Sequence, residues 1–236
     1  MKITFLYHSA FLVELEDSTI LFDWHGGELP VYDRTKPLYV LESHHHEDHY
    51  SPRIFQELGM DGVWYVLGNS IRLSAKRKAM FGIEDSHVFR LGSNRILDLG
   101  PLHIMTMHST DAGVAFLVET EGKTLFHAGD LNWWHWEGEP DTWNKQMEKD
   151  FKQICTKLQD RVVDIAFLVL DPRQERDYWQ GFDWIMRTAQ IKMAFSMHSW
   201  EEFWVVDWLK ARLDSSPYRE RVAEVRYNGQ TFFIED

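Results

Sequence analysis

An α/β sandwich is the architecture this sequence predicts, on three observations. The first quarter is strand-like, the later part alternates strand-like with helical runs, and neither a repeat of roughly 20 to 50 residues nor a linker-like tract interrupts the 236 residues. "KITFLY", "AFLVELE" and "TILFDW" are short, rich in β-formers and separated by "HS" and "DS" turn signals. "PLYVLES" continues the pattern and runs into a histidine cluster. Ser51 and Pro52 then read as an N-cap and a first helical residue, which puts the cluster in a strand-to-helix loop. "GVWYVLG", "SHVFRLG", "RILDLG" and "LHIMTMHS" read as strands, with "SIRLSAKRKAM" a helix between the first two. "GVAFLVET" and "KTLFHAGD" are joined by Glu121 and Gly122, a two-residue hairpin connection. A long helix over 141 to 160 precedes the apolar strand "VVDIAFLVLD", the mixed helical "ERDYWQGFDWIMRTA" and the strand "IKMAFSMHS". "SWEE" at 199 to 202 matches the Ser-x-x-Glu capping box and predicts a helix over "EEFWVVDWLKARL". "AEVRYNGQTFFIE" predicts a closing hairpin with Asn228 and Gly229 at its turn.

The length suits one domain over 1–236 with a single substantial core. Hydrophobic residues are 44% and aromatics 14% of the chain, which is globular composition rather than disorder. No apolar run is long enough to span a membrane, and "MKITFLYHSAFLVELED" carries charge where a signal peptide needs its apolar stretch, so a cytoplasmic location is expected. The single cysteine, Cys155, excludes an internal disulfide framework and a thiolate metal cage. It lies beside Trp143, Met147, Phe151, Ile154 and Leu158, which recur at helical spacing, so it is expected at the edge of a buried face. A net charge of −12 opposes any long cationic track for nucleic acid. A small-molecule substrate fits better, with no membrane partner; a homo-oligomer is left open.

"ESHHHEDHYSP" at 42 to 52 carries the chemistry. Side chains alternate in an extended segment, so His44, His46 and Asp48 can face one side, and the following turn can bring His49 back to them. Imidazoles and a carboxylate without sulfur suit zinc first, then manganese or iron. Alternation leaves His45 and Glu47 pointing away. Three further donors stand at the carboxyl ends of predicted strands, where layered α/β folds gather functional residues: His108, Asp130 and His198.

Here the sequence resembles a known family. "SHHHEDH", "HSTDAGVAFLVE", "HAGD" and "SMHSW", with the opening "YHSAFLVE" and "TILFD", look like the successive motifs of the metallo-β-lactamase superfamily. The branch resembled most is that of ascorbate 6-phosphate lactonase and related metal-dependent hydrolases. The resemblance implies a four-layer αββα sandwich of the α/β (α+β) class and a site for two divalent metal ions. It puts His44, His46 and His108 on one metal, Asp48, His49 and His198 on the other, and makes Asp130 the bridge. His8 and Asp23 match positions expected to support the ligands from behind.

Two such cations would bring a bound water to a pKa of about 7 and polarise a carbonyl or phosphoryl oxygen, so the expected reaction is hydrolysis by a metal-bound hydroxide. Asp48 is placed to orient it and to pass a proton to the leaving group. Trp133, Trp134 and Trp136 follow Asp130, and Trp200 follows His198, so these rings are candidates to line a substrate pocket. Trp204 and Trp208 have helical spacing and suit helix packing equally well. Arg173 in "LDPRQER" could hold an anionic substrate group or pair with Asp171. "KRK" at 76 to 78 reads as a solvated helix face; His127 reads as a strand residue or a support to the ligands, and His25, His87, His103 and His135, which match no ligand position of the family, as surface or hydrogen-bonded residues.

The leading expectation is a metal-dependent hydrolase of a small ester, lactone or phosphoester. A phosphodiesterase or nuclease of the same fold, such as one like ribonuclease Z, shares the cluster but suits an acidic chain less well. A redox protein of the flavodiiron type would carry Glu where this chain has His46. A non-catalytic metal-dependent binding protein is the remaining alternative, disfavoured by so complete a ligand set.

Overall fold

Two mixed β-sheets carry the chain, one in each of two units. The computed structural model describes residues 1–235. Met1–Gly92 together with the segment from Asn228 onward forms the first unit, and Ser93–Tyr227 the second.

The first unit contains β1 (Lys2–Tyr7), β2 (Ala10–Glu14), β3 (Thr19–Phe22), β4 (Leu38–Glu42), β5 (Val63–Gly68), β6 (Val88–Leu91) and β13 (Thr231–Phe233), in the spatial order β13-β1-β2-β3-β4-β5-β6. β1 to β3 form an antiparallel meander, whereas β3 to β6 are parallel. β1, β3, β4 and β5 therefore point the same way, and the residues that leave their carboxyl ends meet along one sheet edge. All five residues of β4 are buried, as expected of a parallel strand covered on both faces. Leu12, Leu21, Val40 and Leu67 pack with Trp24, Ile54, Phe55 and Tyr65 as the core of this unit.

The second unit contains β7 (Ile96–Leu99), β8 (Leu102–His108), β9 (Val114–Thr120), β10 (Lys123–His127), β11 (Val162–Val169) and β12 (Gln190–Met197), in the order β12-β11-β10-β9-β8-β7. β7 to β10 are antiparallel, and β10, β11 and β12 parallel. β8, β10, β11 and β12 thus end at one edge as well. Glu121 and Gly122 both have positive φ (48° and 70°), the left-handed pair that a tight hairpin between β9 and β10 demands. Phe116, Phe126, Phe167 and Phe195 are fully buried in this core.

Helices α1 (Ile54–Leu58) and α2 (Ala75–Phe81) belong to the first unit, and α3 (Asp141–Cys155), α4 (Gln180–Thr188) and α5 (Trp204–Ala211) to the second. Two of these boundaries, the buried face of α3 and the chain's last element differ from the sequence expectation, each for a local reason. α1 starts at Ile54 rather than Pro52, because the amides of Ile54 and Phe55 reach back only three residues, to the carbonyls of Ser51 (3.1 Å) and Pro52 (3.4 Å), and the first four-residue bond runs from Glu57 to Arg53 (3.0 Å). No capping box opens α5: Trp200 and Glu201 have φ of 54° and 63°, which no right-handed helix accommodates, and the helix waits until Trp204. α3 buries Asn144, Phe151 and Cys155, while Trp143 is exposed. Asn144 is buried because its side-chain amide clamps the backbone of Trp136, accepting from its amide at 3.0 Å and donating to its carbonyl at 2.9 Å. The terminal hairpin is absent: Thr231 pairs with Thr4 of β1, whereas Val222 bridges to Ala194 of β12. Gly229, at φ 83°, donates its amide to Phe5 and turns the chain from one sheet's strands to the other's.

Cys155 is fully buried rather than at an edge, and that burial pushes its thiol pKa up, so it packs as a small apolar residue. Among the described residues no helix is long and apolar enough to cross a membrane.

One glycine decides the approach of two strand ends. A Cβ on Gly68 would lie 2.0 Å from the carbonyl oxygen and 2.8 Å from the carbonyl carbon of Ser43. Neither backbone can retreat without breaking the β4–β5 ladder, so Gly68→Ala is expected to cost about 3 kcal/mol. A urea midpoint equal to that of the natural sequence would refute this.

Candidate metal centre

In the first unit, His8 follows β1, Asp23 follows β3 and Ser43–His49 follow β4, so topology alone brings them to one edge. His8 and Asp23 both sit at positive φ (53° and 43°). Such strain persists in ordinary residues only where the surroundings hold it, and it concentrates at functional sites. Asp23 is fully buried and organises the cluster. Its Oδ1 accepts the amide of Ser43 at 2.6 Å; its Oδ2 accepts the Ser43 hydroxyl at 2.6 Å and lies 2.8 Å from Nδ1 of His49. The Ser43 hydroxyl has one proton and gives it to Asp23, so it accepts from Nδ1 of His44, 2.9 Å away. His44 and His49 are thereby both held as Nδ1–H tautomers with Nε2 turned outward as a lone-pair donor.

Nε2 of His44 and Nδ1 of His46 are 3.1 Å apart. Two ligand atoms on one tetrahedral zinc stand about 3.3 Å apart, from bond lengths of roughly 2.0 to 2.1 Å. Asp48 brings Oδ2 to 3.5 Å from Nε2 of His8, and ligand atoms of His8, Asp48 and His49 lie within 4.8 Å of one another. Imidazoles oriented by buried acceptors, with a carboxylate beside them, fit a divalent cation of borderline character. His8 thus stands among the donors, closer than the supporting role expected of it.

In the second unit, His108 ends β8, Asp130 follows β10, Asp171 follows β11 and His198 follows β12. His198 has φ 65°, and its Nε2 is 3.5 Å from Oδ1 of Asp130. Its Nδ1 is 2.8 Å from Oδ2 of Asp171, which orients it as Asp23 orients His49. His127 accepts the amide of Gly129 at Nδ1 (3.2 Å) and shapes the turn that presents Asp130. His108 is the exposed member of the predicted set. Its Nδ1 is 3.2 Å from the Ser93 hydroxyl, and it lines an open cavity of about 650 Å³ with Asn94, Asp111 and Lys157.

The aromatic candidates divide. Trp134 is buried, donates Nε1 to the Asp130 carbonyl at 2.9 Å, and meets the His198 ring edge-on at 5.6 Å. Trp136 stacks on Trp134, and Trp200 stands perpendicular to His198 at 5.5 Å. Trp133 instead packs on Phe151 of α3, with the Lys152 ammonium over its ring, so it is a helix contact rather than a pocket wall. Trp204 and Trp208 lie against one another on α5. Arg173 gives Nε and Nη2 to Asp171, at 3.0 and 2.5 Å, and its guanidinium lies 4.4 Å from the Trp200 ring centre. Its engagement with a carboxylate of the protein is the pairing the sequence offered as the alternative to an anion contact.

Sequence reasoning missed Ser43 as the link between Asp23 and His44, and Asp171 as the orienting acid. The latter had a signal: "VLD" places a carboxylate after an apolar strand as "HAGD" does. Glu42 was missed too. It is fully buried, and that burial, reinforced by the charge of Asp23, pushes its carboxyl well above the ordinary range. His25, expected at the surface or in a hydrogen bond, is half-buried between the rings of Tyr7 and His8, and burial lowers its pKa. His87 and His103 make the hydrogen bonds expected of them, to the Val63 carbonyl and to Asp98.

Burial alone raises the pKa of Asp171, but hydrogen bonds from His198 and Arg173 outweigh it and hold the carboxyl at about 2, against an ordinary value of 3.8. A depressed folded-state pKa contributes stability that is present above the unfolded value and lost as pH falls through the folded one. Asp171 is therefore expected to contribute on the order of 2 kcal/mol that fades between about pH 4 and pH 2. In metal-free protein, Asp171→Asn should be less stable than the natural sequence near neutrality, with the gap narrowing through that window. A gap independent of pH would refute it.

Each unit carries, at its strand ends, oriented imidazoles and carboxylates of the kind that metal-binding α/β proteins use. The sequence matches the beta-lactamase superfamily domain over residues 2–135, more than half of the chain, and the protein belongs to that family. It is 28% identical over 160 residues to a UPF0173 metal-dependent hydrolase of Desulforamulus reducens, covering 55% of this chain and 62% of that one. Similarity to the protein of the same name from Methylacidiphilum infernorum is 31% over 145 residues, with the same two coverages. The match thus spans less than two thirds of the length of these relatives. Among solved structures, Igni18, a metallo hydrolase from Ignicoccus hospitalis, superposes over the full length of both chains with a TM-score of 0.60 at 16% identity, a likeness of fold.

Proposed function

We propose that the protein is a dinuclear metal-dependent hydrolase acting on a small ester, lactone or phosphoester. The observation that carries this is the 3.1 Å approach of Nε2 of His44 to Nδ1 of His46, with His44 oriented from behind through Ser43. His44, His46, Asp48, His49, His108, Asp130 and His198 are the proposed ligands of two divalent ions, zinc first, with manganese or iron as alternatives. When bound, the ions supply an activated water and polarise the scissile group.

The chain's own residues do the rest. Asp23 and Asp171 keep His49 and His198 in the tautomer that leaves Nε2 available. Asp48, with its side chain about one third exposed, is the carboxylate placed to take a proton from the attacking water and return it to the leaving group. Trp134, Trp136 and Trp200 supply apolar walls beside His198, suited to a sugar face or an acyl group. A cytoplasmic setting agrees with a single buried thiol.

The test is metal analysis of protein purified without added metal, with a lactone, a phosphodiester and a thioester panel on the same preparation. Expected are about two equivalents of metal per chain and turnover of one class, abolished by chelation and restored by the metal. Turnover indifferent to chelation, or no metal uptake on reconstitution, would overturn the reading.

A further inference from the structure

The histidine loop has a second face. His45 and Glu47, the residues that alternation turns away from the ligands, line a cavity of about 550 Å³ within the first unit, together with Tyr50, Pro52, Ser70, Ile71, Arg72 and Arg77. Arg72 and Arg77 are both exposed, and among the described residues neither pairs with a carboxylate. The one hydrogen bond from the Arg77 guanidinium is a long one, 3.5 Å, to the carbonyl of Arg72. The hydroxyls of Tyr50 and Ser70 are shielded from solvent and, among the described residues, have no hydrogen-bond partner. Tyr50 as a residue is only 6% exposed. Burying a hydroxyl without a partner costs free energy, so a position like this calls for a ligand atom or a water.

In a chain of net charge −12, this is a local concentration of unpaired positive charge. Glu47 is the single carboxylate on the lining, set against two guanidiniums. Arginine recognises phosphoryl oxygens through two parallel N–H donors, and a hydroxyl completes such a cradle. We propose that this cavity binds a phosphoryl group, held by Arg72 and Arg77 with Tyr50 and Ser70 as hydroxyl partners. The volume falls in the range of small-ligand pockets and exceeds what a bare phosphate fills, so it accommodates a phosphomonoester on a short carbon skeleton. The site lies behind the loop whose other face carries His44, His46 and Asp48, and it stands independently of any reaction at the metals.

The experiment is calorimetric titration of the metal-loaded protein with glycerol phosphate, inorganic phosphate and glycerol. Glycerol phosphate is expected to bind saturably and glycerol not at all; inorganic phosphate binding as tightly would mean that the phosphoryl group alone is recognised. The double variant Arg72→Gln with Arg77→Gln should weaken binding by at least about tenfold, and Tyr50→Phe by a few-fold, as the loss of charge-assisted and neutral hydrogen bonds implies. Lys76→Gln, on the same helix but outside the lining, should leave binding unchanged. Phosphate that associates with the metals persists in the arginine variant and disappears on chelation, which separates the two sites. No saturable binding of either phosphate compound, or equal binding by the double arginine variant, would overturn the proposal.

Discussion

Asp23→Ala is expected to destabilise the protein by about 3 to 5 kcal/mol and to weaken metal binding by roughly 10- to 100-fold. The side chain is fully buried and serves three donors at once: the Ser43 amide, the Ser43 hydroxyl and Nδ1 of His49. Removing it leaves all three without their acceptor, and an unmet buried donor costs about 1 to 3 kcal/mol. The backbone adds to this. Asp23 has φ 43°, a conformation that Asp tolerates and Ala resists. Asp23→Asn keeps the shape and the tolerance of positive φ but turns one acceptor oxygen into a donor, so its loss should be intermediate. Urea midpoints read the stability, and competition with a chromophoric chelator reads the metal affinity. A variant with natural values of both would remove Asp23 from the role described.

Asp48→Asn is expected to behave in the opposite way, costing little stability and at least about 10²-fold in kcat. Asp48 lies in the same loop, but its side chain is one third exposed while His44 and His49 are fully buried, so the fold depends on it less. Its carboxylate approaches Nε2 of His8 at 3.5 Å. The amide is nearly isosteric yet cannot take up a proton, so the loss should fall on kcat rather than on KM. The measurement is made at saturating metal with whichever substrate class the panel identifies, so that weaker metal binding does not pass for lost chemistry. An unchanged rate would rule out proton transfer by Asp48.

Legibility followed range along the chain. The ligand loop could be read because alternation in an extended segment is local: His44, His46 and Asp48 share a side by spacing alone, and His45 and Glu47 lie on the other, where the cavity confirms them. Asp130 and His198 could be picked out because each follows an apolar run, and in the structure they stand 3.5 Å apart. The hairpin at Glu121 and Gly122 is equally local, since it depends only on two residues' ability to hold positive φ. The failures are of another kind. A capping box at 199 to 202 is a sound local signal, but His198, Trp200 and Glu201 take left-handed conformations there and the helix begins later.

The sequence by itself determined the strands, the donor types and the side of the loop each donor takes, because these depend on neighbours a few residues away. Tertiary structure alone decided which residues stand behind them. Asp23 reaches His49 across 26 positions and Asp171 reaches His198 across 27, and each contact exists because parallel strands bring their carboxyl ends together. That Arg173 meets Asp171, that Trp133 packs on α3 and where the last strand pairs were decided by register and packing. Those are properties of the assembled sheets, and no stretch of the chain carries them alone.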